Sequence, residues 1–236
     1  MSAYGVIAAT NRSGPLASTQ WGLASKPEST YSASTLTIHH TTLASAQAVP
    51  GLVSYLRKVF ADELERGMTY PQEILSGQDY SQDMFEAYYF AADVLIAVLD
   101  NEDPSRSQDE FTQTSDGSAI EGGIEQAIKG RGLEECIAGC YYICNAGFLV
   151  PPSQRGKGIG AALARSFLYY APRLGYEASV FNLVYVNNVA SVRLWEALNF
   201  TKAGRIPRAG RLKKADGSGE EFVDAWVFYR RFDPVQ

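Results

Sequence analysis

The sequence predicts an α/β chain, on three observations. Runs of β-branched and aromatic residues recur at 92–99, 135–150 and 180–186. Helical periods of apolar residues fall between them, and a glycine-rich loop joins strand to helix within FLVPPSQRGKGIGAALA at 148–164. With 236 residues, 46% of them hydrophobic, the chain can bury a sizeable core. No internal repeat or second core is visible, so a single domain is expected over 34–236.

Taken in order, residues 1–33 are rich in Ser, Thr, Ala and Gly with little periodicity, and are expected to be a flexible N-terminal arm. The Thr-rich alternation STLTIHHTT at 34–42 reads as the first strand. From Ala46 to Gly67, the positions Val49, Leu52, Tyr55, Leu56, Val59, Phe60 and Leu64 recur at three and four, giving an amphipathic helix with Pro50 in its first turn. A shorter helix near 81–90 leads into a buried strand near 92–99. The Ser/Asp/Glu/Gly-rich stretch at about 100–133 reads as an acidic surface insertion. Residues 135–150 are strand-rich, and 158–171 form a helix with Ile159, Leu163, Phe167 and Tyr170 on one face. The run VFNLVYV, a helix over 188–198 and strands near 200–206 and 222–230 complete the chain. Strand–helix alternation in this half implies parallel pairing.

No run of about 18 apolar residues is present, so no membrane span is expected. The N-terminus has no signal-peptide pattern, which makes the cytoplasm the default location. Cys136, Cys140 and Cys144 are spaced by four, an odd count that suits reduced thiols on one strand face. Zinc would need further ligands close by, and His39 and His40 are about a hundred residues away, so no metal is expected. Residues 100–136 carry ten acidic against three basic side chains, and residues 151–236 thirteen basic against seven acidic. The C-terminal third therefore suits a polyanionic ligand, while the net charge of −5 argues against nucleic acid.

Gly156, Gly158 and Gly160 let backbone N–H groups converge on a phosphate at the positive end of a helix. A nucleoside-triphosphate loop is excluded because Pro151 stands at its first glycine and Gly158 at its hydroxyl residue. A dinucleotide loop fits the string Gly156, Gly158, Ala161. Its context fails, since PPSQR separates the glycines from the strand and no acidic residue closes the next one. The third pattern, R-x-x-G-x-G, is matched by Arg155, Gly158 and Gly160. Together with N-x-x-S-x-x-L-W-E-x-L-N-F at 188–200, it resembles the GCN5-related N-acetyltransferases (GNAT superfamily). That resemblance implies a mixed, mostly antiparallel sheet with a splayed parallel strand pair, flanked by helices, and acetyl-CoA as cosubstrate.

Longer stretches are similar to fungal N-acetyltransferases that detoxify proline analogues such as azetidine-2-carboxylate. They are YLRKVFADELERGMTYPQ at 55–72, CNAGFLV at 144–150, GYEASVFNLVYVNNVASVRLWEALNF at 175–200 and PRAG at 207–210. The resemblance implies acetylation of the secondary amine of a small cyclic imino acid, cis-4-hydroxyproline included, and a homodimer. Two asparagines of that family's acceptor site match Asn145 and Asn182. Each interrupts an apolar strand, and an amide buried there without a partner would cost about 1–3 kcal/mol.

An amide is no general base, so Asn145 and Asn182 are expected to orient the acceptor, and catalysis is chiefly positioning. A backbone N–H between Gly147 and Val150, with Phe148, Leu149 and Val150 as candidates, would bind the oxyanion. Arg155, Gly156, Lys157, Gly158, Ile159 and Gly160 would hold the pyrophosphate, and Asn188 would assist at the coenzyme side. Trp195 stands where many relatives have a proton-donating Tyr, which leaves thiolate protonation to solvent. The strands before and after Ile143 abut without a turn residue, so either the first ends near Cys140 or the turn uses part of CNAG. Other readings are an acetyltransferase for a polyamine, arylamine or lysine, and a catalytically weak acetyl-CoA-binding module.

Overall fold

The computed structural model describes residues 14–23, 35–70, 80–91, 93–100, 116–142 and 147–233. Its first half runs β1 (Ser18–Gly22), β2 (Thr35–Thr41), α1 (Leu43–Gln47), α2 (Leu52–Arg66), α3 (Gln82–Tyr89), β3 (Val94–Leu99), β4 (Ser118–Ile120), α4 (Ile124–Ile128) and α5 (Leu133–Cys136). The second runs β5 (Ile137–Tyr142), β6 (Gly147–Leu149), α6 (Ile159–Arg173), β7 (Ala178–Tyr185), α7 (Val189–Ala197), β8 (Thr201–Lys213) and β9 (Glu220–Arg231). Two compact units result, one of residues 1–55 and 86–170, the other of 56–85 and 171–236.

The first unit is built on a six-stranded sheet in the order β4-β1-β2-β3-β5-β6, every ladder antiparallel. The run VLIAVL of β3 is buried at all six positions, as an apolar strand covered on both faces must be. Helix α6 lays Ile159, Leu163, Phe167 and Tyr170 inward. It can approach closely because Gly139 lacks a Cβ, which would stand 2.7 Å from the Leu149 carbonyl oxygen and 3.1 Å from Leu163 Cδ1. Polar anchors finish the contact. The indole of Trp21 donates to Thr19 Oγ1 (2.7 Å), Thr19 donates to Tyr170 Oη (2.8 Å), and Tyr170 donates to the Ala17 carbonyl (2.9 Å). Arg165 bonds Asp116 Oδ2 and the Gly22 carbonyl, each at 2.6 Å.

The second unit holds an antiparallel sheet in the order β7-β9-β8. Phe181 of β7 packs on Trp195 of α7 at 4.4 Å between ring centroids and stacks on Phe200 at 5.0 Å. Asn199, with φ +58, closes α7 as the left-handed residue, and Phe200 N–H returns to the Trp195 carbonyl. The C-terminus of α2, ended by Gly67 at φ +63, is held by Lys213, whose N–H reaches the Gly67 carbonyl and whose Nζ reaches that of Glu65. In β8 the three residues 207–209 stand opposite Asp224 alone. The Asp224 carboxylate accepts Arg208 N–H (2.8 Å) and Arg205 Nε (2.9 Å), and both donors hold its pKa below the ordinary carboxylate value.

Beneath that bulge a Cβ on Gly210 would meet Tyr185 Oη at 2.2 Å. Tyr185 is 3% exposed, and its hydroxyl has no hydrogen-bond partner among the described residues. Gly210→Ala is therefore expected to lower stability by about 2 kcal/mol through overpacking. Tyr185→Phe, which deletes a buried unpaired hydroxyl, should leave stability unchanged or raise it by up to about 1 kcal/mol. Chemical-denaturation midpoints of the two variants measure both effects.

Several expectations are corrected. The parallel pairing inferred from strand–helix alternation is not formed among the described residues, because β6 and β7 belong to different sheets. Within the expected arm, residues 18–22 are β1, whose Thr19 and Trp21 are buried between β2 and β4. The expected insertion contributes β4 and α4, whose Ile124 and Ile128 are buried, while its residues 101–115 lie outside the described residues. The helix expected from Ala46 is two helices, and Pro50 falls in the turn between them. Cys136 ends the single turn α5, whereas Cys140 lies in β5, so these two thiols do not share one strand face. Cys144 lies outside the described residues.

Candidate active site

In the first unit, β6 leads through Val150 and Pro151 into a 3-10 turn at Pro152–Gln154, then Arg155, and α6 begins at Ile159. Gly156 and Gly158 have φ of +80 and +79, which an L side chain adopts only under strain. The amides of Gly156, Gly158 and Gly160 donate to no backbone carbonyl among the described residues, while Ala161 and Ala162 N–H both turn back to the Gly158 carbonyl. A Cβ at Gly156 or Gly160 would meet nothing within 4 Å. An open cradle of amides at the positive end of a fifteen-residue helix fits a pyrophosphate.

The strand side is equally defined. Phe148 stacks on Tyr141 at 5.0 Å and meets Phe167 edge-on at 5.9 Å, and Leu149 is buried. Arg155 Nε donates to the Val150 carbonyl (3.1 Å), tying the loop to the strand it leaves. Gln154 is a residue that sequence reasoning passed over as spacer. It is buried, donates through Nε2 to the Glu134 carbonyl (3.3 Å) and accepts Lys157 Nζ at Oε1 (3.0 Å). No motif marks it, because its role depends on α5 standing beside the loop.

Gly158→Ala is expected to raise KM for acetyl-CoA about tenfold or more and to change kcat at saturation little. It forces a left-handed alanine, at about 1–3 kcal/mol, and puts a methyl group among the amides. Steady-state kinetics with acetyl-CoA as the varied substrate checks it.

In the second unit Asn182 lies on β7 and is exposed, so its amide does not carry the cost of burial. The strand is bulged here. Phe181 pairs with Phe228 and Val184 with Trp226, so Asn182 and Leu183 together stand opposite Val227. The extra residue shifts the side-chain alternation, so that Phe181 and Val184 both face inward and Asn182 and Leu183 between them are both exposed. Asn188 caps α7, its Oδ1 accepting Ser191 N–H at 3.2 Å, which leaves its Nδ2 protons as what it could offer a coenzyme. Trp195 is 3% exposed within the Phe181 and Phe200 cluster and serves packing.

The pairing of Tyr142 with Gly147 resolves the connection problem: β5 runs beyond Cys140, and residues 143–146 link the strands. Asn145 is among those four, outside the described residues. The nominated residues thus divide: Phe148 to Gly160 on one strand–loop–helix segment of the first unit, Asn182 within β7 and Asn188 at the N-cap of α7 in the second.

A family model described as the acetyltransferase (GNAT) family matches residues 128–200. The N-acetyltransferase aca1 of Schizosaccharomyces pombe is 40% identical over 188 residues, spanning 78% of this chain and 82% of that protein. A GCN5-related N-acetyltransferase from Kribbella flavida superposes with a TM-score of 0.54 at 19% identity, covering 84% of this chain and 98% of that one. The structure of yncA from Salmonella typhimurium with its cofactor acetyl-CoA gives 0.51 at 18% identity, covering 85% and 96%. At such identities these two likenesses speak for the fold.

Proposed function

The chain belongs to the GNAT family of N-acetyltransferases and uses acetyl-CoA, and from that premise we propose that its acceptor is the ring nitrogen of a small cyclic imino acid, such as azetidine-2-carboxylate or cis-4-hydroxyproline. Acetylation removes the basic secondary amine that makes such a compound a proline mimic, so the activity detoxifies it. The observation that carries the reading is the exposed amide of Asn182 on the β7 bulge, inside a stretch similar to the fungal proline-analogue enzymes.

Acetyl-CoA supplies an activated acetyl thioester. The amides of Gly156, Gly158 and Gly160 receive its pyrophosphate. A main-chain N–H of the Gly147–Val150 segment faces the acetyl carbonyl oxygen as negative charge develops there. Asn182, with Asn145, holds the acceptor's amine and carboxylate, Oδ1 accepting from nitrogen and Nδ2 donating to oxygen. Neither amide takes a proton, so the amine loses its proton to water before or during binding. Asn188 assists at the coenzyme side. The thiolate is protonated from solvent, since Trp195 is enclosed by aromatic rings and its indole N–H is no useful acid.

Thiol release from acetyl-CoA, measured over a panel of amines, tests this. Release is expected with azetidine-2-carboxylate and cis-4-hydroxyproline; release only with polyamines, arylamines or peptide lysines overturns the acceptor class. A homodimer and a cytoplasmic location belong to the same reading, the latter in keeping with two buried free thiols, Cys136 and Cys140. Sedimentation equilibrium giving the mass of one chain would remove the dimer.

A further inference from the structure

We propose that Tyr89 is a positioning residue for acetyl transfer, its phenol fixing the carbonyl of Gly147 at the start of the strand that receives the acetyl group. Tyr89 is the last residue of α3 and is fully buried. Its Oη lies 3.2 Å from the Gly147 carbonyl oxygen and 3.2 Å from Cys140 Sγ. A phenol has one proton, and the carbonyl can only accept, so Tyr89 donates to Gly147 and accepts from the thiol. The thiol keeps its proton for that purpose, because burial pushes Cys140 up to about 12.

The place of this contact gives it meaning. Gly147 is the first residue of β6, which has three residues and, among the described residues, stands at the edge of its sheet with β5 as its one partner. The four-residue connection that contains Asn145 ends immediately before it. A short edge strand paired on one side is the least constrained part of a sheet, and a shift of about 1 Å at a reacting group is enough to cost about a hundredfold in rate. Tyr89 adds a constraint at the end of β6 that the loop does not reach. At the other end Arg155 holds the Val150 carbonyl, so the segment Gly147–Val150 is tied at both ends by side chains. The inference rests on the proposal that this segment faces the acetyl carbonyl. It is independent of which amine is the acceptor.

The test uses the full chain and whichever amine gives the fastest thiol release. Tyr89→Phe removes one oxygen atom and keeps the ring. A kcat about tenfold below wild type is expected, with KM for acetyl-CoA within about twofold, at a temperature where circular dichroism shows both proteins fully folded. Cys140→Ser, which keeps a donor toward Tyr89 and leaves Gly147 untouched, should retain kcat within about twofold. A wild-type kcat in Tyr89→Phe overturns the proposal, whatever happens to its melting temperature. A raised KM for acetyl-CoA with unchanged kcat also overturns it, and would mean that β6 holds the pantetheine arm rather than the acetyl group. Failure of the imino-acid reading registers separately, as a different best amine in the panel, and leaves this comparison intact.

Discussion

Asn182→Ala is expected to lower kcat/KM for the imino acid by about 10- to 100-fold while leaving KM for acetyl-CoA within about twofold. The size follows from a hydrogen bond to a charged carboxylate, worth about 1.5–3 kcal/mol, at about 1.4 kcal/mol per decade of rate. The fold should tolerate the change. Asn182 is exposed and stands in a bulge where β7 is out of register with β9, so its truncation opens no core cavity. Surface changes of this kind typically cost within about 0.5 kcal/mol. Asn182→Asp is the sharper companion, because it keeps the shape, loses the Nδ2 donor and sets a negative charge against the acceptor's carboxylate. It should be at least as damaging with imino acids and less so with an uncharged amine. Initial rates with each substrate varied in turn, beside thermal melts, separate these effects; wild-type transfer by the alanine variant would remove Asn182 from the acceptor site.

How far such a residue could be read from sequence depends on how local its physics is. The glycine loop was legible because its function lies in its own backbone: positive φ at Gly156 and Gly158 needs glycine wherever the rest of the chain goes. Helix α6 was legible from its apolar period and α2 from its period and its glycine stop, both properties of consecutive residues. The run VFNLVYV was legible as a strand but not as a bulged one. Continuous apolar residues carry no alternation, so the step from Phe181 to Val184 is invisible until β9 sets the register. Strand β1 was missed because STQWG is five residues long and its burial comes from partners on either side, β2 and β4. The parallel pairing failed for a related reason. Alternating strands and helices imply it only when successive strands share a sheet, and here the chain changes sheet between β6 and β7.

The same non-local strand β1 makes stability depend on pH. His39 of β2 is 2% exposed, its Nδ1 2.8 Å from Ser18 Oγ of β1 and its Nε2 2.9 Å from Thr37 Oγ1. Ser18 donates onward to the Gly122 carbonyl (3.1 Å), so the neutral ring donates from Nδ1 to Ser18, and the Thr37 hydroxyl, 2.9 Å from Nε2 against 3.4 Å from the Val98 carbonyl, turns its proton to the ring. Burial lowers its pKa from 6.5 to about 4. Between those values the unfolded chain binds a proton that the folded chain refuses, and stability therefore rises with pH across that window. The contribution is fully present above about 6.5, is lost as pH falls toward 4, and is flat below, where both states are protonated. Two and a half pH units correspond to about 3 kcal/mol. Chemical denaturation of wild type and His39→Gln from pH 7 to pH 4 should show wild type losing more stability by about that amount, with carboxylate effects cancelling in the difference. The chain has two histidines, so imidazole proton resonances give a direct check. One of the two should remain unshifted down to about pH 5, and a pair that both titrate above pH 6 would show that Ser18, Thr37 and the β1 cover do not hold His39 neutral.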